Sequence, residues 1–332
     1  MKTFLSFLAI ILLVPFTIWF MVAQPTFVTQ TSKDKTTYIK AENLKKQVYT
    51  IVEKFNDRGY TNTQMLDHTA AYIYEVFSRY SDNVSYQTFE AQDPVGDETR
   101  EYKNVIAKFK GRKQCNDEIY VIGGHYDTFG GFVGANDNTS AVAGLMELAR
   151  VFKDNPPKCN VQIVAYTLEE PPFFRTQKMG SYIHAESLKK SHQKVKLVIA
   201  LDMIGFFSDA EGSQGYPVSV MDLYYPSRAN YISIVSNLSL TNIGHSREVK
   251  SVFKQTTDLP VYSINAFAFL PGIDFSDHHN YWKFDYPALL VSDTAFYRSK
   301  NYHTMNDTPD TLDYVKMAKV LEGVFTVVRG ED

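Results

Sequence analysis

Five short stretches of this sequence carry side chains able to do chemistry. His125 and Asp127 stand in Gly123-Gly124-His125-Tyr126-Asp127-Thr128, directly after an apolar run. A carboxylate two residues beyond a histidine shares its side of an extended chain, where it can hold the imidazole in one tautomer. Taken alone, the pair is also what a surface turn offers. Asp137 follows in Gly134-Ala135-Asn136-Asp137-Asn138-Thr139-Ser140, where an ordinary helix N-cap is the competing reading. Tyr166-Thr167-Leu168-Glu169-Glu170-Pro171-Pro172 brings two adjacent glutamates off the end of an apolar strand, and neither enters a core without a partner. Asp202 sits inside Val198-Ile199-Ala200-Leu201-Asp202-Met203-Ile204-Gly205, where a charge is costly unless it is paired or bound to metal. His303 precedes a capped helix in Tyr302-His303-Thr304-Met305-Asn306-Asp307-Thr308-Pro309-Asp310. Two histidines and several carboxylates, with no thiolate, form a nitrogen and oxygen set that suits a hydrolytic zinc site. A shared carboxylate would let two metals sit about 3.5–4 Å apart. The chain has no nucleophile elbow, Walker loop, H-E-x-x-H or dinucleotide fingerprint, and Gly130–Gly134 reads as a flexible loop of the site.

Elements must bring these stretches together. Helical periodicity runs through Leu44, Val48, Ile51, Val52 and Phe55, and again through Leu66, Ala70, Ile73, Phe77 and Tyr80. Alternation at Val84, Tyr86 and Thr88, and at Val105, Ala107 and Phe109, marks a pair of strands. Strands and helices then take turns. Strands are expected over 118–123, 161–168, 196–203 and 288–293. Helices are expected through 141–152, over 179–190, around 231–238, and at the end through Met317, Val320, Leu321, Val324, Phe325 and Val328. The pattern predicts an α/β fold in one domain, with a mostly parallel sheet and helices on both faces. Open sheets of this kind place ligands beyond the C-terminal ends of their strands, where His125, Glu169, Glu170 and Asp202 fall.

The 332 residues suffice for such a domain, and 44% hydrophobic with 21% charged residues exclude a disordered chain. Lys and Arg total 34 against 37 Asp and Glu, a net charge of -3, so no nucleic acid is expected as a partner. Residues 3–32 carry no charge and are strongly apolar over 4–23, nearer in length to a membrane span than to a secretory apolar region. Pro15 interrupts the run, which membrane helices tolerate. Residues 1–25 are therefore expected to form a hydrophobic helix, either a membrane anchor or a signal peptide. A linker at 26–40 and a catalytic domain over 41–332 follow. Either reading places the domain outside the cytoplasm, as a membrane-anchored, secreted or periplasmic protein. Cys115 and Cys159 each stand just ahead of a strand, and a right-handed crossover would start both strands at one sheet edge. A disulfide and two free thiols both stay open.

The five motifs, in their order from Gly123 to Asp310, resemble the co-catalytic zinc aminopeptidase family of clan MH, the relatives of aminopeptidase Y and glutamate carboxypeptidase. Glutaminyl cyclases share that fold, and the resemblance implies one α/β domain with a central mixed sheet. The resemblance covers residues 60–328. It implies a zinc metallopeptidase with two zinc ions per chain and a peptide substrate cut at its N-terminus. On the matching positions, His125 and Asp202 would bind one zinc, Glu170 and His303 the other, and Asp137 would bridge them. Glu169 would be the general base, and Asp127 would orient His125. Two departures stand out. Asn136 occupies a position that is often Asp, which lowers the local negative charge. The stretch from Pro171 to Lys178 is an insertion, expected as a loop at the mouth of the site. There Phe173, Phe174 and Arg175 either meet substrate or pack for structure.

Ser276-Asp277-His278-His279 resembles a family segment beside the cleft, so one of that histidine pair is a candidate for the pocket wall. His68, His184, His192 and His245 are expected at the surface or in packing. Three other readings stay open at this point: a cyclase-like transferase with one zinc, a binding ectodomain without activity, and a carboxypeptidase. The last needs a cation for the terminal carboxylate, with Arg175 and Arg298 as candidates.

Overall fold

Runs of β-branched and aromatic residues make eight strands, and their burial separates edge from centre. The computed structural model describes residues 13, 16–32, 38–94, 96 and 98–330. β1 (Val84–Gln92) is exposed along most of its length, while β2 (Thr99–Phe109) becomes buried in its second half. β3 (Ile119–His125), β4 (Asn160–Tyr166), β5 (Val195–Leu201) and β8 (Ala288–Ser292) are almost wholly buried, as strands covered on both faces must be. With β6 (Ile232–Ser236) and β7 (Val261–Asn265) they form one sheet in the order β1-β2-β4-β3-β5-β8-β6-β7. β4, β3, β5 and β8 run parallel to one another; β2 joins β4, and β6 joins β8, antiparallel. The sheet is mixed, as the family resemblance implies.

Helices cover both faces. α1 (Ala41–Lys54), α2 (Thr63–Ser78), α3 (Ser140–Asp154), α5 (Leu240–Thr256) and α7 (Tyr314–Arg329) bury their apolar stripes in the main core. α4 (Gly180–Lys190) and the short α6 (His278–Trp282) lie over the other face, around Val121, Val164 and Val198. A hydrogen-bonded chain pins them there. His184 of α4 meets Gln162 of β4 at 3.0 Å and the Tyr281 hydroxyl of α6 at 2.7 Å, and that hydroxyl meets Tyr166 at 2.6 Å.

One expected element is corrected. The stretch 231–238 is not a helix but contains β6, whose five residues are all buried. Ile232, Ile234 and Val235 suit a strand covered on both faces, and so short an apolar run carries no period that separates the two states. β7 and α5 were not anticipated. The two cysteines form a disulfide, with Cα atoms 5.6 Å apart, tying the chain before β3 to the chain before β4.

Most of the hydrophobic N-terminal run lies outside the described residues, as do residues 33–37 of the expected linker. Residues 16–23 are helical, and among the described residues no helix is long and apolar enough to cross a membrane. The chain after this helix lies along the body: Gln30 Nε2 donates to the carbonyls of Thr257 and Leu259, and the Thr31 amide donates to the carbonyl of Lys254 at 2.8 Å.

Candidate active site

The parallel strands deliver the ionisable side chains to one end of the sheet. His125 is the last residue of β3, and the two glycines before it let the neighbouring strands close in. A Cβ on Gly123 would lie 2.3 Å from the Tyr166 ring, and one on Gly124 would lie 2.7 Å from the Leu201 carbonyl oxygen. Glu169 and Glu170 leave β4, Asp202 leaves β5, and His303 comes from the loop beyond β8. Asp137 lies in a single wide turn, Ala135–Thr139, ahead of α3. It is therefore not the N-cap of that helix, whose first residue is Ser140.

Asp137 stands between the two histidines. Its Oδ1 is 3.4 Å from Nε2 of His125, and its Oδ2 is 3.1 Å from Nε2 of His303. Asp202 Oδ2 is 3.8 Å from the first histidine, and Glu170 Oε2 is 3.2 Å from the second. The result is two trios of ligand-type atoms, His125 with Asp137 and Asp202, and Asp137 with Glu170 and His303, each within 4.8 Å. A third grouping joins His125 to Glu169 and Glu170. The first two use both Asp137 oxygens and leave Glu169 free at 3.8 Å from His125, so they account for more of the geometry.

Asp127 does more than orient one imidazole. His125 Nδ1 lies 3.1 Å from its carbonyl oxygen and 3.5 Å from its carboxylate. The same carboxylate accepts the backbone N–H of Glu169 at 3.2 Å and of Glu170 at 3.1 Å. One aspartate thus fixes a residue of each trio together with Glu169.

The electrostatics call for added positive charge. Burial alone would lower the His125 imidazole, yet Glu169, Asp127, Asp137 and Asp202 hold it well above its ordinary value. His303 reaches about 10, raised by Asp137 and Glu170 against the burial that would lower it. Burial pushes Glu169 well up, and burial with the charge of Asp137 takes Glu170 to about 8. Asp137 alone is held low, because its contacts to both histidines outweigh its burial. Nε2 of His125, Nε2 of His303 and Oε1 of Glu170 are buried without a hydrogen bond. Orphaned nitrogen and oxygen donors of this kind, in a cluster with more carboxylates than imidazoles, fit divalent zinc.

Two aspartates that the motif reading left without a role, Asp307 and Asp293, support this centre, and a third, Asp277, is buried within its electrostatic reach. Asp307 accepts the backbone N–H of Asn136 and of Asp137, both at 2.9 Å. Asp293 accepts the Asn136 amide at 2.8 Å, so Asn136 serves as a strut and the negative charge stands one shell further out. Asp277, whose two oxygens have no hydrogen-bond partner, is pushed up to about 7 by burial against the pull of His125. Arg58 lies beneath the Asp137 turn. It donates to the carbonyls of Tyr126 (2.7 Å) and Gly134 (3.2 Å) and to the Thr139 hydroxyl (2.7 Å). Their signal in the sequence is weak, since each acts through chain distant from its own.

A cavity of roughly 220 Å³ opens beside the cluster, walled largely by rings and aliphatic side chains, among them Tyr216, Tyr231, Tyr262, Phe296 and Ile273. Tyr302 lines it, with its ring stacked 3.8 Å from His303, whose imidazole also lies flat against Phe129 at 4.3 Å. The inserted loop divides its roles. Phe173 is buried against Tyr60 and Tyr102, whereas Phe174 forms part of the cavity wall. Arg175 pairs with Asp274, and Arg298 is buried, donating to Gln214 and to the Tyr231 carbonyl. Neither arginine lines the cavity, and no Lys or Arg among the described residues does. Neither histidine of the 278–279 pair lines it either; His278 Nε2 donates to the Ile273 carbonyl and His279 Nδ1 to that of Ser276.

A doubly wound sheet with such a cluster at its strand ends defines the class of metal-dependent hydrolases. The chain belongs to peptidase family M28, whose family model matches residues 104–328. It is 42% identical over 295 residues to YfbL of Escherichia coli K12, a protein itself uncharacterized, covering 86% of this chain and 87% of that one. A leucine aminopeptidase precursor from Bacteroides thetaiotaomicron has the same fold, with a TM-score of 0.67 at 16% identity over 89% of this chain and 98% of that one. So does a glutaminyl cyclase from Tannerella forsythia, with a TM-score of 0.65 at 20% identity over 89% and 99%.

Proposed function

We propose that this protein is an exported aminopeptidase that removes N-terminal residues from peptides, using two zinc ions. His125 and Asp202 would hold one, Glu170 and His303 the other, with Asp137 shared between them. Zinc bound there supplies Lewis acidity, which acidifies water and polarises a carbonyl. The remaining steps belong to the chain's own side chains. Glu169, raised by burial and reserved by geometry, takes the proton of the attacking water and returns it to the departing amine. Asp127 keeps His125 and the Glu169–Glu170 turn in place for this transfer. Tyr302, in the cavity wall beside the cluster, would supply a hydroxyl donor for the developing oxyanion.

The observation that carries this reading is the charge of the cavity: carboxylates at one end, aromatic walls, and no Lys or Arg lining it. A peptide's terminal ammonium is attracted there, and a terminal carboxylate finds no cation, which favours an aminopeptidase over a carboxypeptidase. The apolar walls favour large apolar N-terminal side chains. Export is supported by the disulfide, which persists in oxidising compartments, and by the uncharged N-terminal run. On this reading residues 1–25 anchor or direct the chain and residues 41–332 form the catalytic domain outside the cytoplasm.

The test is a mixed peptide library incubated with zinc-loaded protein and read by mass spectrometry, with Glu169→Gln alongside. Loss of single N-terminal residues is expected, falling about 10²–10⁴-fold in the variant while its bound zinc stays at two per chain. Ammonia loss from N-terminal glutamine, with one zinc bound, would instead identify a cyclase. C-terminal trimming would overturn the polarity assigned here.

A further inference from the structure

The N-terminal helix is fastened to the body by specific contacts, and these fix the direction in which it leaves. Lys250 Nζ donates to the carbonyls of Ala23 (2.6 Å) and Gln24 (2.9 Å), capping the C-terminal end of residues 16–23 with a cation. Ser263 of β7 donates to the Ala23 carbonyl at 2.9 Å. One turn earlier, Arg247 stacks over the Phe20 ring at 5.1 Å, and Asn265 reaches the Met21 carbonyl at 3.5 Å. Stepping from residue 23 back to 20 moves the contacts from Lys250 to Arg247 on α5 and from Ser263 to Asn265 on β7. The helix therefore runs out past the start of α5 and the end of β7.

Two of the connections at that end of the sheet carry no charged residue. Ser236 and Asn265 are register partners, so the connections after β6 and β7 emerge side by side. Residues 237–244 and 266–273 contain no Asp, Glu, Lys, Arg or His, nor do residues 16–32, in a chain with 21% charged residues. Leu240 is 81% exposed, Phe267 61% and Phe269 84%, and the two phenylalanine rings stack on each other 5.3 Å apart. Exposed aromatics around an emerging apolar helix are what a lipid interface selects, and water does not. Residues 3–19 carry no charge in the sequence, and Trp19 lies in the described helix.

We propose that this end of the catalytic body rests on the lipid bilayer, with Leu240, Phe267 and Phe269 seated in its interfacial layer. The proposal rests on the reading of the N-terminal run as an anchor. It orients the cavity as well, since the loop bearing both phenylalanines continues into the cavity wall at Gly272, Ile273 and Phe275.

The test uses the full chain reconstituted in vesicles of phosphatidylethanolamine and phosphatidylglycerol and washed with alkali. Single cysteines are introduced as Phe267→Cys and Phe269→Cys, with Glu75→Cys on α2, beside the opposite sheet edge, as the aqueous control. The native cysteines are bonded to each other, so only the new thiol takes a nitroxide. At 267 and 269, collisions with a water-soluble nickel complex should fall severalfold below the control while collisions with oxygen rise. Water-like accessibility at both positions in chain that stays with the vesicles would overturn the seated face and leave the anchor standing. Chain released by the wash would overturn the anchor and the face together. Spin–spin broadening at 267 or 269 would mean that a second copy covers the face, which also overturns the proposal.

Discussion

At Asp307 one carboxylate accepts two consecutive backbone N–H groups and so sets the course of the chain through Asn136 and Asp137. Changing it to asparagine keeps the size but turns a donor toward one of those N–H groups. Asp307→Asn should therefore weaken metal binding about 10–100-fold, the usual cost of losing such a support. Competition against a chromophoric chelator checks this, and an unchanged affinity would remove Asp307 from the supporting set. At this scale the sequence was informative where a residue acts next to its own strand end. His125, Glu169, Glu170 and Asp202 could all be read from a charge breaking an apolar run. Asp307 and Asp293 could not, because their partners lie more than 150 positions away in the chain. Arg175 and Arg298 show the reverse: cations suited by type to a carboxylate are committed to Asp274 and to Gln214.

Among elements, Arg58 joins the loop between α1 and α2 to the turn that carries Asp137. Burial lowers its guanidinium to about 10, against nearby Asp127 and Asp307, which raise it. Arg58→Met takes the side-chain donor from the Tyr126 carbonyl and strips a buried cation from beneath the acidic cluster. A loss of about 3 kcal/mol is expected in urea unfolding. The His184 chain that pins α4 and α6 gives the protein an acid-sensitive joint. Burial lowers this histidine from its ordinary 6.5 to about 3. Between those values the unfolded chain binds a proton that the folded chain does not, so stability present above pH 6.5 is lost as the pH falls. The loss at pH 5 is about 2 kcal/mol relative to neutral pH. In His184→Gln the difference between unfolding free energies at pH 7 and pH 5 should shrink by that amount. Strand and helix alternation was legible wherever runs were long, as in α3 or α7. β6 was not, because Ile232 to Ser236 spans too few residues to show a period.

For the whole molecule, the disulfide between Cys115 and Cys159 closes a loop of 44 residues that contains β3, α3 and Asp137. Loop-closure entropy for that length corresponds to about 4 kcal/mol. The Cys115→Ser, Cys159→Ser double variant should lose up to that much in guanidinium unfolding, with its metal content unchanged at neutral pH. A variant as stable as the parent would show that the bond adds nothing to the folded state. The mostly parallel architecture followed from the order of elements, and its mixed character from the resemblance of the five motifs. The attachment of the N-terminal segment did not. It depends on Lys250 and Arg247 meeting backbone and ring atoms more than 220 residues away, and nothing near Ala23 announces it.

The cluster draws its side chains from His125 through to His303, close to the end of the chain, and the sheet that gathers them is complete only when β8 is in place. A chain still being synthesised, or one held unfolded for passage across a membrane, has the first five of these residues without the sixth and without their common frame. If the domain is exported as proposed, activity would then be acquired late, from whatever metal the destination supplies. The order of residues along the polypeptide would serve as a timer that keeps the peptidase inert among the peptides of the compartment where it is made.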